Sequence, residues 1–168
     1  MRKINILKAL VDYLWIIVVP IGTLVVLFFV PALFFIDFGE TELNFLHVNL
    51  ITEDFISKLF VALLALNYLP LFYSLHVFKN TLRYFKNVKL FDEYVISSFS
   101  KIGNSLVLSG VVFLILNTTY MIYFESRIQV NFGFNTDLVT LGLGLFFQIL
   151  SEVFKIAKEA KEENQLTI

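Results

Sequence analysis

Residues 79–101, KNTLRYFKNVKLFDEYVISSFSK, decide how the chain is arranged. They carry Lys79, Arg83, Lys86, Lys89 and Lys101 against only Asp92 and Glu93. On each side lies a pair of long apolar segments joined by a shorter polar connector. Lysine and arginine are held on the cytoplasmic face of a membrane, so a basic loop between two apolar hairpins predicts four spans with this loop inside. Arg2, Lys3 and Lys8 precede the first span, Lys155 lies at the inner end of the last, and Lys158 and Lys161 follow it. With the five in the loop, eleven of the thirteen basic residues fall on the predicted inner side, leaving Lys58 and Arg127 outside. Both termini are therefore expected in the cytoplasm.

Composition supports the same class. Of 168 residues, 58% are hydrophobic and 16% charged, with a mean hydropathy of +0.79. Soluble domains carry about 25% charged residues, so the chain lies well to the membrane side. The absence of cysteine excludes a disulfide framework, a thiol nucleophile and a thiolate metal site. The two histidines, His47 in an outer connector and His76 near the end of the second span, are not at ligand spacing. No metal and no cofactor is expected. The first apolar segment is too long for a signal-peptide core and has no small-residue cleavage site after it, so it reads as a span.

The uncharged run Tyr13–Ile36 exceeds the ~20 residues that cross the hydrocarbon layer. Tyr13 and Trp15 stand where an interfacial aromatic belt would lie, and Pro20, Gly22 and Pro31 are candidate kinks. Before it, Ile4, Leu7, Leu10 and Val11 share one face of a short interfacial lead-in. The other spans are predicted at residues 59–78, 102–124 and 138–157, with a loop at 79–101 and a cytoplasmic tail at 158–168. Asp92 is the expected N-cap of the third helix. Val95, Phe99, Ile102 and Leu106 form an apolar stripe on a stretch expected to lie partly on the membrane surface. Ser105, Ser109 and Gly110 suit a close contact between helices. Thr52 is a candidate cap for the second helix, and Asn135 or Thr136 for the fourth.

The outer connectors have a different period. Asp37–Ser57 contains Asp37, Glu40, Glu42, Glu53 and Asp54 and no base, and Leu43–Leu50 within it alternates with one slip at Phe45-Leu46. Ile128–Phe134 alternates as well. These two segments are predicted to pair as a small two-stranded extracytoplasmic sheet. The fold class is then an all-α integral membrane protein, a single domain of four transmembrane helices with that sheet as a possible cap.

Polar residues inside the spans are Asn67, Asn117, Thr118, Thr119, Gln148 and Glu152, each needing a partner within the protein or water. Hydrogen bonds between helices satisfy such groups without further function. A polar passage would instead need Asn67, Asn117 and Gln148 on one cavity. His76 can take up a proton near neutral pH, or stand as an inert interfacial residue. Glu152 is expected to pair with Lys155. The spacings Lys155–Glu159 and Lys158–Glu162 then carry the fourth helix beyond the membrane.

The closing residues ILSEVFKIAKEAKEENQLTI, Ile149–Ile168, end in an acidic pair, an Asn and Leu-Thr-Ile: Glu162, Glu163, Asn164, Leu166, Thr167 and Ile168. Leu90-Phe91-Asp92 followed by Ile102-Gly103 is a second marker. In both, the chain resembles a bacterial family of small four-span membrane proteins known as domain of unknown function 2975. The stretch Asn87-Val88-Lys89-Leu90 departs from that family's pattern, so no family role is carried onto the loop. The resemblance brings no catalytic role. It implies a membrane partner for a transcription factor, because members are often encoded beside a small helix-turn-helix regulator.

These readings predict a non-enzymatic sensor or regulatory partner in the bacterial cytoplasmic membrane. It would present its basic loop, and a tail carrying Glu162, Glu163, Asn164, Leu166, Thr167 and Ile168, to a cytoplasmic protein such as a helix-turn-helix regulator. The alternative is a small transporter or channel subunit. Beside the lipid bilayer, a homo- or hetero-oligomer is possible. Direct nucleic-acid binding is not expected, since no helix-turn-helix pattern accompanies the basic loop. That loop attracts anionic lipid by its charge alone.

Overall fold

The computed structural model describes residues 2–36, 42–45, 48–51, 55–85, 92–125 and 135–166. Among the described residues four helices are long and apolar enough to cross a membrane: Lys3–Phe35, Phe55–Phe85, Glu93–Tyr123 and Thr136–Gln165. They run 30 to 33 residues, or about 45 Å at ~1.5 Å per residue, which reaches from headgroup to headgroup.

The first crossing is α1 (Arg2–Leu24), a π-helical turn (Val25–Phe29) and α2 (Val30–Phe35). Pro31 has no N–H to give the carbonyl of Leu27, and the ladder changes register just before it. The Val30 N–H donates to the Val25 carbonyl, five residues back. The N-terminal lead-in is continuous with this helix. Strands β1 (Glu42–Phe45) and β2 (Val48–Ile51) then pair antiparallel, Glu42 opposite Ile51 and Phe45 opposite Val48. The alternating stretch is therefore two strands rather than one, and its slip at Phe45-Leu46 falls where β1 ends. Within 43–50 the pairing is local; the partner predicted for this stretch, Ile128–Phe134, lies outside the described residues, as does Thr52.

The second crossing comprises α3 (Phe55–Leu66) and α4 (Tyr68–Phe85), interrupted at Asn67. Pro70 cannot donate to the Leu66 carbonyl, which accounts for a break at that point. Helix α4 continues through Phe85, and α5 (Glu93–Tyr120) starts at the Asp92 cap, whose Oδ1 accepts the Tyr94 N–H at 2.9 Å. The basic connection is accordingly shorter than residues 79–101. Lys79 and Arg83 stand on α4, and Lys101 on α5. After a second π-turn (Met121–Glu125), α6 (Thr136–Leu166) runs back along α5. Its start follows Asn135, whose carbonyl accepts the Val139 N–H.

Two cores hold the helices. Near the hairpin, Leu33, Phe60, Val61, Leu64, Phe113 and Tyr120 pack together. Toward the α4–α5 connection, Val95, Phe99, Ile102 and Leu106 are buried. The apolar stripe of this helix is thus interior. The Phe99 ring lies 5.5 Å from Phe154, 5.7 Å from Phe147 and 6.0 Å from Phe85, within the range for favourable aromatic pairing. The widest interface joins α5 and α6, and the next α4 and α5. Among the described residues α1 packs on α4 and makes no broad interface with α5 or α6. The bundle is therefore open on the α1 side.

Candidate functional site

The α5–α6 seam fixes where the C-terminal segment goes. A Cβ on Gly144 would fall 2.7 Å from the Val107 nitrogen, and one on Gly103 would fall 2.8 Å from the Gly144 carbonyl. The two helices thus meet backbone to backbone, an approach that only glycine permits. Polar contacts then continue along the seam. Gln148 Nε2 donates to Asn104 Oδ1 at 2.8 Å, and Ser151 Oγ donates to the Ile96 carbonyl at 2.8 Å. Lys158 Nζ ends the series at 2.9 Å from Glu93 Oε2, with Glu162 Oε1 3.9 Å away on its own helix.

Beyond that clamp α6 goes on to Leu166, and residues 159–165 are all exposed. Glu162, Glu163 and Asn164 lie on this extension and Leu166 closes it, whereas Thr167 and Ile168 are outside the described residues. Glu152 is exposed. With Ser151 turned toward α5, Glu152 points away from the seam, and no Glu152–Lys155 ion pair forms among the described residues. Lys158 reaches across to Glu93 instead.

The other intramembrane residues serve separate contacts. Asn67 Nδ2 donates to the Ser109 carbonyl at 3.0 Å, and Ser109 Oγ donates to the Asn67 carbonyl at 3.2 Å. One turn away, Ser105 Oγ donates to the Pro70 carbonyl at 2.9 Å and Ser74 Oγ to the same oxygen at 3.0 Å. The carbonyls around the helix break are in this way bonded across α4 and α5. Thr118 and Thr119 give their hydroxyls to carbonyls four residues back in α5. Asn117 is half-buried farther along α5, and Gln148 bonds to Asn104. Among the described residues no hydrogen bond joins Asn67, Asn117 and Gln148 to one another.

A further polar cluster joins α1 to α4. Lys79 Nζ lies 3.7 Å above the Trp15 ring and 3.8 Å from Asp12 Oδ1. Asp12 Oδ1 is shut off from solvent and has no hydrogen-bond donor among the described residues. His76 is exposed, its ring 6.0 Å from Trp15 and its Nε2 3.0 Å from the Asn80 side-chain nitrogen. Asp12 and Trp15, like His76 and Lys79, are three residues apart and share a helix face. That spacing was the available signal for each half, but it does not say which helices meet.

Residues 13–168 match the family model described as Protein of unknown function (DUF2975). The chain belongs to that family. The DUF2975 match takes in the first long helix from residue 13 onward, the other three long helices and the closing Glu162–Ile168 segment. No curated protein and no solved structure matches the chain.

Proposed function

We propose that this DUF2975 protein is a non-enzymatic membrane regulator that offers the end of α6 to a cytoplasmic protein. The observation that carries the reading is the helix beyond the Glu93–Lys158 clamp, exposed over residues 159–165 while the seam before it is tightly packed. A helix polar on every side gains nothing from lipid and nothing from its own core. Held rigid by the glycine seam, it is displayed at a fixed position, which lowers the ordering cost of docking. The bias of lysine and arginine supports placing this end, the α4–α5 connection and both termini in the cytoplasm, with the hairpin outside. A helix-turn-helix regulator is the partner class that the family resemblance favours.

The test is co-purification from native membranes of the full chain and of a chain lacking residues 159–168. A cytoplasmic protein retained by the first and lost by the second is the expected result. An unchanged set of bound proteins would remove the docking role.

A further inference from the structure

The α1–α4 seam keeps one antiparallel register from the Trp15–His76 contact to the Asp12–Lys79 contact. Gly22 meets the Phe72 ring, Trp15 meets His76, and Asp12 meets Lys79. On α4 the positions 72, 76 and 79, and on α1 the positions 22, 15 and 12, each follow the helical repeat of one face. The next position of that stripe is Arg83 on α4 and Lys8 on α1. Lys79 already has the Asp12 carboxylate, whereas neither Lys8 nor Arg83 makes an ion pair among the described residues. Through this end of the two helices the sequence sets Arg2, Lys3, Lys8, Lys79 and Arg83 against Asp12 alone.

Continued by one turn, that register sets Lys8 opposite Arg83, and two cations so placed repel each other unless an anion lies between them. The flanking surface indicates which anion. Leu7, Leu10 and Leu14 on α1 and Leu69 and Tyr73 on α4 are exposed apolar side chains, and Trp15 stands one to two turns deeper. Acyl chains can lie along this surface while a phosphate reaches the cations at its end. We propose that Lys8 and Arg83 hold the phosphate of an anionic phospholipid at the mouth of the α1–α4 seam. Arg83 can give two parallel N–H donors to the phosphate oxygens, and Lys8 adds a point charge. The inference is independent of the α6 docking reading, since it rests on the other side of the molecule.

The experiment is native mass spectrometry of the detergent-purified full chain titrated with phosphatidylglycerol, chain-matched phosphatidylcholine or inorganic phosphate. Phosphatidylglycerol should bind more tightly than phosphatidylcholine. Lys8→Gln and Arg83→Gln should each weaken it about fivefold, the effect of one cation near an anionic surface. Lys58→Gln, the same charge change at the opposite end of the second crossing, should leave it unchanged, and Arg83→Lys should retain most of it. Equal binding of the two lipids, or equal losses with Lys58→Gln, would overturn the proposal. Displacement of the lipid by millimolar inorganic phosphate would overturn it as well, by assigning the cations to a soluble anion. Matching circular dichroism of all variants ensures that losses report the site and not the fold.

Discussion

Asn67 bonds across the α4–α5 seam with its side-chain amide and with its backbone carbonyl. It stands at the interruption between α3 and α4, and its amide reaches the Ser109 carbonyl while its own carbonyl receives the Ser109 hydroxyl. Both residues are buried, at 5% and 0% exposure, so water cannot replace either bond. Asn67→Ala and Ser109→Ala should each destabilise the protein by about 0.6 to 1.7 kcal/mol, the range of hydrogen bonds between membrane helices. Each bond ends on a backbone carbonyl that the substitutions keep, but both brace one α4–α5 contact, so losing the first loosens the second and the double variant should lose less than the two single losses added together. Additive losses in a reversible unfolding titration in mixed micelles would mean that the two residues act separately. Composition alone marks Asn67 as a polar residue needing a partner. It does not reveal Ser109, because the pairing depends on how α4 and α5 are rotated, and 42 residues separate the partners.

At the scale of elements, the α5–α6 seam is set by glycine on one side and phenylalanine on the other. Gly144→Val should push the helices apart, since even its Cβ would fall 2.7 Å from the Val107 backbone nitrogen, and a backbone atom cannot rotate away. A loss of about 1 to 3 kcal/mol is expected, as for overpacked cores. Gly142→Ala is the comparison, for a Cβ there meets nothing within 4 Å, and it should be nearly neutral. Phe99→Ala leaves a cavity among Phe85, Phe147 and Phe154. Because an unfolded membrane helix remains in lipid, the transfer contribution is small and the cavity contribution of about 2 kcal/mol dominates. The same denaturation titration reads all three variants. Much of this level was legible in advance. The four apolar runs mark the crossings, the Val95–Leu106 stripe marks a buried face, and Asp92 marks the start of α5. Helix ends were less legible, because α4 and α5 extend beyond the apolar runs through residues such as Lys79 and Ser98 that another helix covers. The Glu93–Lys158 bond, across 65 residues, leaves no periodic trace at all.

For the whole molecule the open arrangement has a mechanical consequence. Helices α4, α5 and α6 share an aromatic core, whereas α1 is attached through the Asp12–Lys79–Trp15 contacts and the Gly22–Phe72 approach. Lys79 over the indole face gains about 0.5 to 2 kcal/mol, depending on how far it is desolvated. Removing the ring should therefore loosen α1 and leave the rest in place. The chain has no native cysteine, so introduced pairs can report each interface without background. In the Trp15→Ala background, a cysteine pair at Gly22 and Phe72 should cross-link several-fold less with a short bifunctional thiol reagent. A pair at Asn104 and Gln148 should cross-link as before, since its 2.8 Å side-chain contact belongs to the α5–α6 seam. If both pairs weaken together, the four crossings move as one unit, and the separation between α1 and the α4–α6 core does not hold.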